Sequence, residues 1–365
     1  MADLASPRVG EAAALVLLNV RKQYGDVTVL DNLSLTVAPG EFFTLLGPSG
    51  SGKTTTLMLW AGFVLPSAGR VVIGGRDVST VPPYRRNLGM VFQHYALFPH
   101  LTVAQNIAFP LEMRRWRRPA IRARVAELLE LVRLGGLAER LPRHLSGGQQ
   151  QRVAVARALA ASPPAILMDE PLGALDRKLR EELQVELRRV HRATGATVAY
   201  VTHDQAEALI LSDRVAVMRD GRIEQVEAPA TLYEHPATRF VAEFLGDANF
   251  FAGRVVAHQP DAAVVETGDG MRLRIPPVGA VGGEVLVMVR PERLRLLNGG
   301  DDPPNVISGT LTDRAYNGLV VRYQVTTAAR KEIVLSVPSF SAPPVEVGMP
   351  VRVGWAIEAG RVVAP

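Results

Sequence analysis

Residues 41–60, EFFTLLGPSGSGKTTTLMLW, set an apolar run, a glycine-rich loop and a helix-forming run back to back. That order narrows the fold more than any other stretch of the chain. EFFTLL (41–46) predicts a buried strand, and KTTTLMLW the helix after it. The loop between them fits G-x-x-x-x-G-K-[ST] at Gly47–Thr54 without a mismatch. Glycines there let successive backbone N–H groups wrap a row of phosphates, and the helix start adds favourable partial charge. Gly47, Pro48, Ser49, Gly50, Ser51, Gly52 and Thr55 form the expected cradle. Lys53 would reach the β- and γ-phosphates, and the Thr54 hydroxyl would ligate Mg2+.

Up to about residue 235, apolar runs alternate with helical patterns, which predicts an α/β domain with a largely parallel sheet. AILMDEP (165–171) ends in two carboxylates and ATVAYVTH (196–203) in a histidine. Three strands that finish in polar groups point to one edge of one sheet, where ligands of such folds bind. Asp169 suits a magnesium ion, and Glu170 could align and deprotonate an attacking water. Gln93, after the strand-like LGMVF, could orient that water and touch the metal without adding charge. His203 could hydrogen-bond a γ-phosphate, although a surface or satisfied core histidine fits the same position. Tyr24 could stack on adenine or pack at a strand edge.

A helix-rich segment, about 97–160, interrupts this pattern, with Val125, Leu128, Leu129 and Val132 on one helical face. The run 177–190 repeats the logic with Leu179, Leu183, Leu187 and Val190. From about 240 the texture changes to short β runs with Gly, Pro and Asn-Gly turns, among them AGRVVAH, EVLVMVR and VVRYQV. They predict a small all-β barrel or sandwich. No internal repeat of the phosphate loop occurs.

At 365 residues the chain exceeds a usual single domain. The absence of cysteine excludes disulfides and thiolate metal sites. A net charge of +5 permits anionic partners without demanding one, and no nucleic-acid partner is expected. No run approaches the ~18–20 apolar residues that cross a bilayer. AAALVLLNV, preceded by Asp3 and Glu11, reads as a first strand rather than a signal peptide. Any membrane role is therefore expected through a partner.

One feature asks for more than a single nucleotide site. LSGGQQQR (145–152) is a second glycine corner at a helix start, a second place to hold an anion. Tyr24, GPSGSGKTT, Gln93, LSGGQQQR, ILMDEP, GALD (173–176) and VTHD (201–204) stand in the order found in ATP-binding-cassette ATPases, and the chain resembles that family over roughly 15–235. The resemblance implies a P-loop ATPase cassette at 1–236, with its helical subdomain at about 97–160. It also implies a head-to-tail homodimer in which Ser146, Gly147, Gly148 and Gln149 clamp the γ-phosphate of ATP held by the partner's phosphate loop. Under it Glu170 is the general base, and His203 and Gln93 complete the catalytic set. Asp169, Thr54 and Gln93 take Mg2+, Asp176 links the two sites, and Tyr24 supports adenine.

The part at 237–365 resembles the OB-type (TOBE) domain that follows the cassette in bacterial importers, where it serves regulation and dimerisation. FLGDANFFAG, VRPERLRLL and GTLTDRAYNGLVVRYQV carry that likeness. PPYRRNLGMVFQHYALFPHLTV and EPLGALDRKLRE look closest to spermidine/putrescine importer ATPases, with importers of iron, phosphonate, sugar or sulfate as the alternative. The resemblance implies two membrane permease subunits and a solute-binding protein as partners. It implies a peripheral position on the cytoplasmic face of the membrane. Tyr95, Leu97, Phe98 and Pro99 are the candidate permease contact, against a reading as subdomain core. The arginines at 114, 115, 117, 118, 122 and 124 read as a solvated helix face, with membrane headgroups or acidic loops as the second reading. A soluble cassette of translation or repair is the rival from another class. The single phosphate loop, the short spacing of the motifs and the lack of cysteine speak against it. A small-anion sensor in the β domain, with the ATPase under its control, is a third reading and is compatible with the importer.

Overall fold

The computed structural model describes residues 11–173 and 175–365. The first ten positions of the expected 1–236 domain, Asp3 among them, and the alanine of GALD lie outside the described residues. The chain divides into two compact units, one running up to Leu232 and the other Tyr233–Pro365.

The first unit opens with β1 (Leu15–Tyr24), β2 (Val27–Val37), β3 (Phe42–Leu46), α1 (Lys53–Ala61), β4 (Ala68–Ile73), β5 (Arg76–Asp77) and β6 (Gly89–Val91). The helices α2 (Val103–Met113), α3 (Arg118–Leu131) and α4 (Gly147–Leu159) follow. Then come β7 (Ala165–Asp169), α5 (Arg177–Thr194), β8 (Thr197–Thr202), α6 (Gln205–Leu211), β9 (Arg214–Arg219) and β10 (Arg222–Glu227). One sheet runs β10-β9-β3-β8-β7-β6. Its strands are parallel from β9 to β6, and only β10 runs against its neighbour. A second sheet, β2-β1-β4-β5, is antiparallel.

Alternation along the parallel strands feeds two cores. Phe43, Leu45, Leu167, Val201 and Met218 face α1 and the antiparallel sheet. Phe42, Ile166, Met168, Val198 and Tyr200 face the helices α2 to α5. Trp60, large for a first helix, is fully buried on α1 in the first of these cores. The end of α1 is closed by Gly62 in the left-handed conformation and by buried Arg86, which donates to the Leu59 and Trp60 carbonyls. Burial pulls that guanidinium down to about 10.

The arginine run does not form one solvated face. Arg124 donates to the carbonyls of Leu159 and Ala160, and Arg114 to that of Ala161. Both close the C-terminal end of α4, where unpaired carbonyls and the helix dipole favour a cation. Arg115, Arg117, Arg118 and Arg122 are exposed.

After α7 (Pro229–Glu234), the second unit holds α8 (Arg239–Leu245) and the strands β11 (Asn249–His258), β12 (Ala263–Thr267), β13 (Arg272–Ile275), β14 (Glu284–Val289) and β15 (Arg295–Leu296). β16 (Asn305–Tyr316), β17 (Val320–Thr327), β18 (Glu332–Pro338), β19 (Pro350–Trp355) and β20 (Arg361–Val363) complete it. Two five-stranded antiparallel sheets, β13-β12-β11-β14-β20 and β15-β19-β16-β17-β18, share one core that includes Phe251, Val287, Leu311, Tyr323 and Trp355.

The two sheets repeat one plan. Asn249, opening β11, exchanges two hydrogen bonds of 2.8 Å with the backbone of Val334 in the other sheet. Asn305, opening β16, does the same with Arg274 at 2.7 and 2.9 Å. Further along these strands a Cβ at Gly253 or at Gly309 would lie 2.6 Å from a neighbouring strand's carbonyl oxygen, so neither position admits a side chain. Thr267 and Thr327 close equivalent hairpins against Met271 and Lys331. Each half then gives its last strand away: β15 pairs with β19, and β20 with β14.

Candidate nucleotide site

The phosphate loop leaves β3 at the C-terminal edge of the parallel sheet and enters α1 at Lys53. Two glycines fix its path. A Cβ at Gly47 would sit 2.3 Å from the Met218 carbonyl oxygen. Gly52 has φ +95 and a Cβ there would meet Leu30 at 2.6 Å, so an L-residue is strained in both conformation and space. Lys53 is buried and turns its Nζ into the loop, donating to the Gly47 and Pro48 carbonyls at 2.7 and 2.8 Å and to Ser51 at 3.4 Å. Burial pushes this ammonium below its ordinary value, against the pull of Glu170 and Asp169. Ser49 and Gly50 are exposed at the tip, and Thr55 is half-buried on α1.

β7 ends beside that loop. The Thr54 hydroxyl donates to Asp169 at 3.1 Å. Two oxygens of this kind, one ionised and one neutral, are the donors Mg2+ prefers. Glu170 follows in a left-handed conformation, φ 43, which costs a non-glycine residue roughly 1–2 kcal/mol. Its N–H is held by the Val201 carbonyl at 3.0 Å. Its carboxylate lies 3.2 Å from the His203 Nδ1 at the end of β8. A Cβ on Gly173 would stand 3.8 Å from both Gln93 Nε2 and Glu170 Oε2, so the amide and the carboxylate flank one glycine. Lys53, Thr54, Gln93, Asp169, Glu170 and His203 therefore gather at one edge of the sheet. Tyr24 stands half-exposed on β1 with the Lys22 ammonium 4.5 Å from its ring centre.

The second glycine corner is built differently. Ser146 caps α4: its hydroxyl accepts from the Gln149 N–H, and the Gln149 side chain accepts from the Ser146 N–H. This reciprocal box spends two groups on the helix itself and leaves the first-turn N–H groups of Gly147 and Gly148 for another acceptor. A Cβ at Gly148 would press on Leu179 at 2.8 Å. Asp176 caps α5 through Leu179 N–H at 3.0 Å. No hydrogen bond or ion pair among the described residues joins Ser146–Gln149 or Asp176 to the phosphate loop.

The apolar loop after Gln93 divides. Tyr95 belongs to the subdomain core rather than the exposed surface: it is buried in the cluster that holds Val91, Val103 and Leu145, in a turn beyond β6 with φ 60 and its N–H donating to the Phe92 carbonyl at 2.9 Å. Leu97 packs half-buried against the same core. Phe98 is also half-buried, its ring centre 4.5 Å from that of Phe109 with the two planes tilted by 47°, and Pro99 is exposed. Behind the site, Arg180, Asp204 and Glu207 form an ionic cluster that the sequence reading passed over. Its only sequence signal is an acid four residues past His203, in the spacing of ordinary helix polarity.

The chain matches the ABC transporter family over residues 30–173 and the TOBE domain over 287–363. It is 51% identical over 318 residues to the spermidine/putrescine import ATP-binding protein PotA of Rubrobacter xylanophilus, covering 86% of this chain and 84% of that one. It is 45% identical over 366 residues to the corresponding PotA 2 of Pseudomonas aeruginosa, covering 96% and 98%. Among solved structures it resembles the dimeric ATP-binding cassette MJ0796 in a post-hydrolysis state with ADP and Pi. That match has a TM-score of 0.53 and 37% identity, over 59% of this chain and 98% of that one. A cassette matched over nearly its full length, followed by a TOBE domain, places this chain in the ABC transporter ATPase family.

Proposed function

We propose that this chain is the ATP-hydrolysing subunit of an importer for a polyamine of the spermidine/putrescine kind. The observation that supports it best is the Glu170–His203 contact set beside the Thr54–Asp169 pair at the mouth of a glycine cradle. The polyamine follows from the relatives' names. In the reaction, water adds to the γ-phosphorus, the bond to the bridging oxygen breaks, and ADP and phosphate leave. Lys53 and the loop N–H groups hold the phosphates, while Glu170 accepts the proton of the attacking water and Gln93 helps to orient it. His203 donates toward the γ-phosphate and at the same time fixes the Glu170 carboxylate. Thr54, Asp169 and Gln93 would hold Mg2+, which supplies positive charge to the triphosphate oxygens.

Among the described residues the N–H groups of Gly147 and Gly148 meet no acceptor, which favours a head-to-tail pair in which they meet the partner's γ-phosphate. ATP then bridges two copies and ADP does not, so hydrolysis drives the halves apart. Two permease subunits and a solute-binding protein complete the complex, with Phe98, Leu97 and Pro99 as the permease contact. No helix among the described residues is long and apolar enough to cross a membrane, which suits a peripheral place on the cytoplasmic face.

The test uses the subunit with its permease and solute-binding protein in proteoliposomes, comparing wild type with Glu170→Gln. Wild type is expected to couple ATP hydrolysis to spermidine or putrescine uptake. The variant should bind ATP, trap a dimer seen by size-exclusion chromatography, and transport nothing. Undiminished turnover by the variant would remove Glu170 from its role, and transport of only some other solute would overturn the polyamine.

A further inference from the structure

Beneath the reacting groups lies a buried carboxylate that needs an explanation. The side chain of Glu207, in the first turn of α6, is 2% exposed. Burial raises its proton affinity above the ordinary carboxylate value. An ionised group at such depth is costly unless its oxygens are fully engaged. One oxygen accepts from the hydroxyls of Tyr200 and Thr202, both at 2.7 Å. The other faces Arg180 Nε at 3.7 Å.

Thr202 and Asp204 are the two neighbours of His203 in the chain, and both are anchored here. The Thr202 hydroxyl receives the Asp204 N–H at 3.0 Å, and the Asp204 carboxylate caps α6 through the Glu207 N–H at 3.1 Å. The backbone on either side of His203 is thus fixed, while its ring stays 59% exposed.

Arg180 extends this frame in a second direction. One arm of its guanidinium donates to Asp204 at 2.9 Å, and the other to the Leu175 carbonyl at 3.1 Å. Leu175 immediately precedes Asp176, the residue read as reaching toward the partner's site. A planar fork of fixed width holds both acceptors at a set separation, which a lysine cannot do.

We infer that Arg180 is a positioning residue for hydrolysis: one guanidinium ties the residue after His203 to the residue before Asp176, setting the histidine and the partner-facing loop as one unit. The inference rests on the functional reading above. It adds a mechanical link between the nucleotide a subunit holds and the loop that subunit offers its partner. Neither Arg180 nor Glu207 touches the nucleotide in this scheme.

The test measures steady-state ATP hydrolysis by the full chain, assembled with its permease, for wild type, Arg180→Met and Arg180→Lys. Arg180→Met should lower kcat by about tenfold or more, as a small misplacement of catalytic groups does. Its KM for ATP should stay within about twofold, because the phosphate loop is untouched. Cooperativity toward ATP should fall as well, since the histidine and the partner-facing loop are no longer set together. Arg180→Lys should recover part of kcat through Asp204 alone. If Arg180→Met does not fold, Arg180→Lys carries the test: reduced kcat at wild-type KM supports the inference, and wild-type kcat and cooperativity sink it. A loss shared equally by kcat, KM and melting temperature would mark Arg180 as fold support only and overturn the inference. Failure of wild type itself to hydrolyse ATP would count against the functional reading, which separates the two.

Discussion

Burial of Asp169 at the end of β7 raises its carboxyl above the ordinary value, and the charge of Glu170 adds to the rise. The Thr54 hydroxyl and Lys53 pull the other way without reversing it. The folded protein therefore binds this proton more tightly than the unfolded chain does. Its contribution to stability is complete below the ordinary carboxylate value and is lost as pH rises through the raised one. Asp169→Asn keeps the shape and an acceptor for Thr54 but never ionises. In the absence of nucleotide, the variant should melt level with wild type near about pH 4, and above it by a widening margin toward neutrality. Thermal melts across that range test this, and a variant that melts below wild type at neutral pH contradicts it. Such a trade, stability given up for a charge that works only with its ligand, is common at active sites. The residues themselves were largely readable, because Gly47, Lys53 and Thr54 sit in a pattern with a mechanism behind it. Tyr95 was not. An aromatic in an apolar run looks alike whether it faces solvent or the core, and the run does not show the left-handed turn at Tyr95 and Ala96 that follows β6.

At the level of elements, the runs that ended in reactive groups became β3, β7 and β8, side by side in one sheet. Their legibility comes from double-sided burial, which makes each strand a short continuous apolar run between polar ends. The helical segment was readable as helices but not in how they meet. Arg124 illustrates the reason: on a helical wheel it falls among exposed charges, yet it reaches the end of α4, a partner distant in sequence. Its removal should cost about 1–2 kcal/mol, the usual worth of a charged group on helix-terminal carbonyls in a partly buried setting. Arg124→Ala should therefore lower the denaturation midpoint, while Arg122→Ala on the exposed face should leave it nearly unchanged. Equal effects from the two would show that α4 does not rely on this cap.

On the scale of the whole molecule, the β unit repeats a plan its sequence barely announces. The halves share an opening asparagine, a glycine that admits no side chain, and a threonine-closed hairpin, with little else alike between them. Such sparse marks are invisible without knowing that the two asparagines cross to opposite sheets. The exchanged end strands carry a further expectation. Val363 is buried in β20 and pairs with Leu286 of β14. Val363→Asp would place a charge at that seam, and hydrogen exchange should accelerate first in β14 and β11. Protection in β16 to β18 should change less. Loosening confined to the sheet nearest in sequence, β16 to β19, would contradict the exchange.

That exchange also sets a schedule for biosynthesis. The sheet begun by β11 stays open along one margin until residues 361–363 have emerged from the ribosome, so vectorial folding from the N-terminal side cannot complete it. Chaperones and proteases would meet this half as a nascent, unsealed species for most of the time its sister is being translated.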